Sequence, residues 1–229
     1  MVLKYYFDLL SQPSRSIYIL LKLNDIPFEA HPVALREGEH LTEEFKEKLS
    51  KFQKVPFIHD GDFKLTESVG IARYLSREYP IKDHWYPKNS KRQAKIDEYL
   101  EWHHLGIRFH CSSYFIAKWV NPMLTGRQPK TAKLELLKNN MNDSLDKFEE
   151  LFLSDGPFIS GNEISFGDVQ AACEIEQPRM AGFDPTENRP KLKTWLERVR
   201  KECNPYYNEA HAIVNKIADK NKQKIQAKL

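Results

Sequence analysis

The stretch Leu10-Ser-Gln-Pro-Ser-Arg15 marks where one kind of backbone must become another. Upstream, Lys4 to Leu10 is rich in aromatic and apolar residues and reads as a strand. Downstream, Ile17, Leu20, Leu21 and Leu23 keep an apolar stripe at helical spacing. Ser11 thus stands at a strand-to-helix turn, just before Pro13. On residue type alone, a serine there caps the helix.

Outward from that turn, the first 80 residues alternate short elements. Phe28 to Leu35 reads as a second strand. Pro56-Phe-Ile-His59 and Asp62-Phe-Lys-Leu-Thr66 are two more, joined through Asp60-Gly61, a strong hairpin signal. Val69, Ala72, Leu75 and Tyr79 then return to helical spacing, and Pro80 ends that helix. The order is βαβ followed by ββα. Residues 81–90 have no clean period and read as a linker. Beyond Lys91 the chain is almost wholly helical. One segment runs through Ile96, Tyr99, Leu100 and His103, and another through Leu134, Leu137, Met141, Leu145, Phe148 and Phe152. The expectation is an α/β domain over 1–80, a linker over 81–90 and an all-α domain over 91–229. In the second domain, Ile164-Ser-Phe-Gly-Asp-Val169 carries a capping box, Ser165 with Asp168, and a hydrophobic staple, Ile164 with Val169. Asp168 is expected to be buried and to serve folding.

Composition narrows the function. The chain has 229 residues, 41% hydrophobic and 29% charged. No 18-residue apolar run is present, so no transmembrane helix is expected. The opening residues do not form a signal peptide. Cys111, Cys173 and Cys203 are odd in number and far apart, which suits free thiols in a reducing compartment. The net charge is +3, but residues 191–229 carry 10 basic against 4 acidic residues. A lysine-rich helix end reads as a solvated face rather than a nucleic-acid surface. Neither a nucleic-acid partner nor a membrane is expected.

No Walker loop, Rossmann glycine pattern, HExxH or nucleophile elbow is present. His103, His104 and His110 lack a companion set of ligands, so they read as helix surface or groove lining, and no metal is expected. The remaining candidates are individually bland. Ser11 is a cap by type. Val55-Pro56 opens a strand, and Glu67-Ser68 opens a helix whose N-terminus favours an anion.

Together these stretches form a pattern. Ser11-Gln-Pro-Ser-Arg15 after the first strand, Lys54-Val-Pro56 before the hairpin and Leu65-Thr-Glu-Ser68 before the third helix resemble the glutathione transferases. Within that family the chain is most similar to the theta class, through Phe7-Asp-Leu-Leu-Ser-Gln-Pro-Ser-Arg15, Asn24-Asp-Ile-Pro-Phe-Glu29, Gly38-Glu-His-Leu41, Asp60-Gly-Asp-Phe-Lys-Leu-Thr-Glu-Ser68, Trp85-Tyr-Pro87, Asp97-Glu-Tyr-Leu-Glu-Trp102 and Arg189-Pro-Lys-Leu-Lys-Thr-Trp195. The resemblance covers nearly the whole chain. It implies a thioredoxin-like first domain and a helical-bundle second domain. The implied activity is conjugation of reduced glutathione to small hydrophobic electrophiles such as alkyl halides, epoxides and activated esters, with possible peroxidase activity on organic hydroperoxides. The alternative is a non-catalytic hydrophobic-ligand or interaction protein on the same fold. A thiol-disulfide oxidoreductase is disfavoured because the turn holds no cysteine.

The resemblance also implies roles. Ser11 would donate to the glutathione sulfur, with Gln12 as a polar neighbour. Glu67 and Ser68 would take the γ-glutamyl end, Val55 before a cis Pro56 the cysteinyl backbone, and His40 and Lys54 the glycyl carboxylate. Arg108, on a helix of the second domain, would reach the cleft as a catalytic residue. Ile107, Cys111, Phe115 and Trp119 would line the electrophile pocket, and Ala210 to Leu229 would form a lid. The chain departs from the pattern at Ser50-Lys-Phe-Gln53, a loop one residue longer than in relatives. Glutathione is a co-substrate, so no cofactor is expected. A homodimer and a cytoplasmic location are implied. The terminal Ala227-Lys-Leu229 resembles a peroxisomal address, the weaker alternative.

Overall fold

A computed structural model describes residues 2–226, with side chains through Asn221. The first domain is built from β1 (Leu3–Phe7), α1 (Gln12–Leu23), β2 (Phe28–Pro32), α2 (Glu43–Lys48), β3 (Phe57–Asp60), β4 (Phe63–Thr66) and α3 (Ser68–Glu78). The sheet order is β2-β1-β3-β4. β1 runs parallel to β2 and antiparallel to β3, and β3 and β4 form the hairpin. Gly61 supplies the left-handed residue at its tip, with φ of 60°.

Three features differ from the sequence expectation, the first being that β1 stops at Phe7 rather than Leu10, because the chain turns through Leu9 and Leu10. β2 stops at Pro32 rather than Leu35, because Val33 donates to the Phe7 carbonyl and the chain then coils through a 3₁₀ turn at Leu35–Glu37. Helix α2 has no counterpart in the sequence reading. It is too short to show a period, yet its end signals are good. Thr42 Oγ1 accepts from the Phe45 amide at 3.2 Å, Glu43 and Glu44 occupy the first turn, and Lys46 and Lys48 the last. Phe45 anchors it against Tyr6, Val33 and Phe57.

The second domain comprises α4 (Ser90–Trp102), α5 (Phe109–Phe115), α6 (Asn121–Thr125), α7 (Thr131–Phe152), α8 (Phe166–Glu176), α9 (Pro190–Cys203), α10 (Tyr206–Ala210) and α11 (Ala212–Gln226). Wide π-helical turns at His104–Arg108 and Ile116–Val120 join α4, α5 and α6 into one bent rod. The first bend needs Gly106: its ψ of −108° leaves the helical region, and a Cβ there would lie 2.8 Å from the Trp102 ring. His103, just before it, is neither helix surface nor groove lining, the two expectations for it. It is fully buried, with Nδ1 on the Leu100 carbonyl, and burial lowers its pKa to about 3.

A single apolar core crosses both domains, from Tyr5, Ile17 and Leu20 to Tyr99, Phe148 and Trp195. Every residue of α8 is buried, so α8 is the central helix and α1 packs directly on it. The capping box forms at its start. Asp168 Oδ2 accepts from Ser165 N and Oγ, and Oδ1 accepts from Ile159 N and Trp195 Nε1, all at 2.8–2.9 Å. Within 81–90 the chain is pinned: Trp85 is buried, and the His84 ring lies 2.9 Å from the Ile164 carbonyl.

Candidate active site

Ser11 takes the N-cap position of α1, with extended backbone (φ −83°, ψ 125°), yet its side chain makes no cap bond. The hydroxyl instead points across the fold, 3.5 Å from the Val55 carbonyl oxygen. The turn that presents it is tied down by its backbone. Ser11 N donates to Asp8 O, while the Asp8 carboxylate accepts from Leu10 N at 2.8 Å and Leu35 N at 3.2 Å.

Val55 precedes a cis Pro56. In the hairpin, Phe57 faces Thr66. That antiparallel register brings Val55-Pro56 alongside Glu67-Ser68. Glu67 holds φ of 68° and ψ of 114°, an unusual left-handed conformation for a side chain of its size. It sets Ser68 as the first residue of α3, and no side chain caps that helix. Next along the rim, the His40 carbonyl accepts from Gln53 Nε2 at 3.2 Å, which joins the loop before α2 to the strand entry. His40 Nδ1 is buried with no partner among the described residues, and desolvation lowers its pKa. Lys54, next to Gln53 in the chain, is exposed, and Gln12 is half-buried on the first turn of α1. Ser11, Val55, Pro56, Glu67 and Ser68 thus gather at one end of the sheet, with His40 and Lys54 on the rim. The set offers a hydroxyl, an uncapped helix N-terminus, a carboxylate and two cationic or proton-bearing side chains. It suits a zwitterionic, extended ligand with a nucleophilic atom near Ser11.

A cavity of about 520 Å³ opens beside this turn, lined mainly by Phe7, Leu10, Val33, Arg36 and Ile213. Leu10, the neighbour of Ser11, also packs on the cluster of Phe115, Trp119, Met180 and Val214. Phe115 and Trp119 stack at 5.3 Å, and the Arg36 guanidinium lies 5.8 Å from the Trp119 ring centre. Two expectations for this pocket need correction. Ile107 and Cys111 are fully buried in the main core rather than at the cleft, packed where α5 meets α7 and α8. Arg36, Leu10 and Ile213 were missed, since they lie on a 3₁₀ turn, a loop and a distant helix that share no sequence pattern. Ile213 comes from the expected lid segment. There α11 packs on the 3₁₀ turn Gln177–Ala181 and walls the cavity; residues 227–229 lie outside the described residues.

Arg108 is placed differently from a free cleft residue. Its Nη1 pairs at 3.3 Å with Oε1 of Glu174, which is wholly buried on α8, whereas Arg108 is about one-third exposed. Burial raises the pKa of Glu174, and Arg108 opposes that rise. Among the described residues no group of His, Cys, Asp and Glu gathers in metal-binding geometry.

Comparison with known proteins matches this layout. Residues 1–77 match the family "Glutathione S-transferase, N-terminal domain", and residues 107–202 match "Glutathione S-transferase, C-terminal domain". The chain is 40% identical to glutathione S-transferase theta-1 of Homo sapiens over 220 residues, 96% of this chain and 91% of that protein. It is 38% identical to human theta-2, over 98% of this chain and 91% of that one. Among solved structures, human glutathione S-transferase T1-1 in its apo form superposes with a TM-score of 0.91 at 39% identity, covering 95% of this chain and 91% of that one. A human theta-class enzyme in complex with the glutathione conjugate of 1-menaphthyl sulfate gives 0.90 at 37% identity, covering 98% and 92%.

Proposed function

This chain belongs to the glutathione S-transferase family, in its theta class, and is a glutathione transferase; we propose that Ser11 activates the glutathione thiol at the rim just described. A free thiol has a pKa of about 8.5, so little thiolate exists at neutral pH. A hydroxyl donating to the sulfur, at a helix N-terminus, favours the charged form. The observation that carries this role is the Ser11 hydroxyl itself: it occupies a cap position without capping and is free to turn from Val55 to a ligand. Val55 pairs the cysteinyl backbone like an added strand. Glu67 takes the γ-glutamyl ammonium, Ser68 and the α3 N-terminus take its carboxylate, and His40 and Lys54 face the glycyl carboxylate. Gln12 adds a polar contact beside the sulfur, and Arg108 supplies positive charge from the second domain.

The thiolate then attacks the electrophilic carbon. A C–S bond forms, and the halide, epoxide oxygen or ester oxyanion takes the displaced electron pair. With an organic hydroperoxide, attack on the peroxide oxygen breaks the O–O bond, releasing the alcohol and leaving glutathione sulfenic acid, from which a second glutathione displaces water to form the disulfide. The apolar cavity flanked by Phe115 and Trp119 suits small hydrophobic electrophiles. Turnover with glutathione across haloalkanes, epoxides and cumene hydroperoxide tests the assignment. Glutathione binding with no turnover on any of them would instead make the chain a non-catalytic binder.

The working form is a homodimer in the cytoplasm. The side chains Leu105, Phe109 and Ile116 of the bent rod are large, apolar and exposed, a surface that suits a second copy. Phe109→Glu should convert dimer to monomer in sedimentation; a native protein that sediments as a single subunit would refute the dimer. No helix among the described residues is long and apolar enough to cross a membrane.

A further inference from the structure

Arg15 is among the largest wholly buried side chains of the molecule, and it lies one helical turn after Ser11. A buried guanidinium is costly unless its donors are matched. Here the acceptors of the two Nη groups fall in two sets, while Nε has no partner among the described residues. Nη1 donates to the carbonyls of Leu9 at 2.9 Å and Leu10 at 3.3 Å, the two residues that lead into Ser11. Nη2 donates to the Cys173 carbonyl at 2.9 Å and to Gln177 Oε1 at 2.6 Å, both at the C-terminal end of α8. Gln177 then closes the ring, since its Nε2 donates to the Leu10 carbonyl at 3.0 Å. The Leu10 carbonyl therefore receives one hydrogen bond from each domain. Gln177 is itself fully buried.

We propose that Arg15 and Gln177 are positioning residues that lock the Leu9-Leu10-Ser11 turn to α8 and so aim the Ser11 hydroxyl. The proposal rests on the thiolate role given to Ser11 above. Hydrogen bonds alone do not distinguish bracing from plain stability, but their targets do. The clamp grips carbonyls of the loop that carries Ser11, while the remainder of α1 is held by apolar packing, by Ser16 Oγ donating to Gln170 Oε1, by Tyr18 Oη donating to Glu209 Oε1 and by Tyr5 Oη donating to the Ser14 carbonyl, none of which touches that loop. Loosening the ring frees the carbonyl next to Ser11 without removing any group that contacts glutathione. A displaced hydroxyl donates poorly to the sulfur, and small displacements of a catalytic group cost rate steeply.

The test uses the full-length protein. Gln177→Met keeps the volume and removes both polar atoms. Gln177→Glu keeps the acceptor for Arg15 but cannot donate to Leu10. For each, the thiolate absorbance of bound glutathione is titrated against pH, and kcat and KM are measured. The expected result is a raised thiol pKa and a kcat lower by about tenfold, with the KM for glutathione within about twofold. Placed on top of Ser11→Ala, Gln177→Met should then have no further effect on the thiol, because it acts through the hydroxyl. A Gln177 variant that melts lower yet titrates and turns over normally would overturn the proposal, as would a full additional pKa shift in the double variant. If Gln177→Met does not fold, Gln177→Glu decides alone by the same readings. If Ser11→Ala itself leaves the thiol titration unchanged, the Ser11 role fails and this proposal with it; if Ser11→Ala shifts it and neither Gln177 variant does, only the bracing role fails.

Discussion

Two serines in this molecule occupy the same formal position and meet opposite fates. Ser11 and Ser165 each precede a helix, α1 and α8, with extended backbone. Ser165 is buried and engaged in a reciprocal box with Asp168. Ser11 is half-exposed, makes no cap bond and points at a carbonyl 44 residues away. The difference lies in what surrounds each helix start. At α8 there is no water to satisfy the first amides, so the side chains must do it. At α1 the turn is held by Asp8 and by Arg15, which leaves the serine hydroxyl available for a ligand. A cap residue becomes a catalytic candidate when other groups take over the work of holding its turn.

The sharpest way to break the comparison is at α8. Asp168→Ala strands the amides of Ile159 and Ser165 and the Trp195 indole in a dry core. At about 1–3 kcal/mol for each unsatisfied buried group, the loss should reach at least ~3 kcal/mol. Calorimetry should show a melting midpoint lower by about 6–12 °C, using roughly 2–4 °C per kcal/mol for a chain of this size. A midpoint within a degree of the native one would mean that the box contributes nothing.

At α1 the effect should move from stability to rate. Ser11→Ala loses no cap bond, so its melting midpoint should stay close to native. Losing a hydroxyl contact to a thiolate, about 2–3 kcal/mol, should lower turnover on the order of a hundredfold and raise the thiol pKa of bound glutathione. A large fall in midpoint with normal turnover would restore the capping role that residue type alone assigns.

Arg108 lies between these extremes. Arg108→Ala removes the partner of a wholly buried carboxylate. Breaking a fully buried pair costs about 3–5 kcal/mol, and because Arg108 is partly solvated the expected loss is nearer ~2 kcal/mol. Adding Glu174→Gln should return the midpoint towards native while activity stays low. Restored activity in the double variant would show that Arg108 serves the fold alone.

The smallest effect concerns pH. His103 and His211 are buried, and burial lowers each pKa to about 3. The folded state holds both neutral, whereas the unfolded chain takes up protons below about pH 6.5. Stability is therefore full above pH 6.5 and declines as pH falls through the window towards 3, by roughly 1 kcal/mol per histidine over the first unit. His103→Gln should flatten that decline in a melting series from pH 7.0 to 5.5. An unchanged slope would show that His103 is not the group taking up the proton.

Much of this was legible in advance. The βαβ and ββα order followed from periodicity and from Asp60-Gly61, and the box at Ser165 followed from a six-residue motif, because both depend on neighbours in the chain. The rim proposed to hold glutathione was legible only as a pattern of separate short stretches. Of the four residues expected at an electrophile pocket, Phe115 and Trp119 pack in the cluster with Leu10, whereas Ile107 and Cys111 lie in the main core. The four were placed by their location in the chain, which does not show which side chains the packing of α5 against α7 and α8 withdraws from solvent.

The sequence by itself determined the order of the longer helices and strands, which of their faces are apolar, and that Ser11 stands at the mouth of α1. Those are local quantities, set by propensity, spacing and caps within a few residues. Only the tertiary structure decided what the polar groups do. Arg15 meets Gln177 across 162 positions, Ser16 meets Gln170 across 154, and Arg108 meets a glutamate that the burial of α8 leaves without water. A polar side chain withdrawn from solvent must bond to whatever the docking of α1 on α8 brings within reach, and no local pattern encodes that partner.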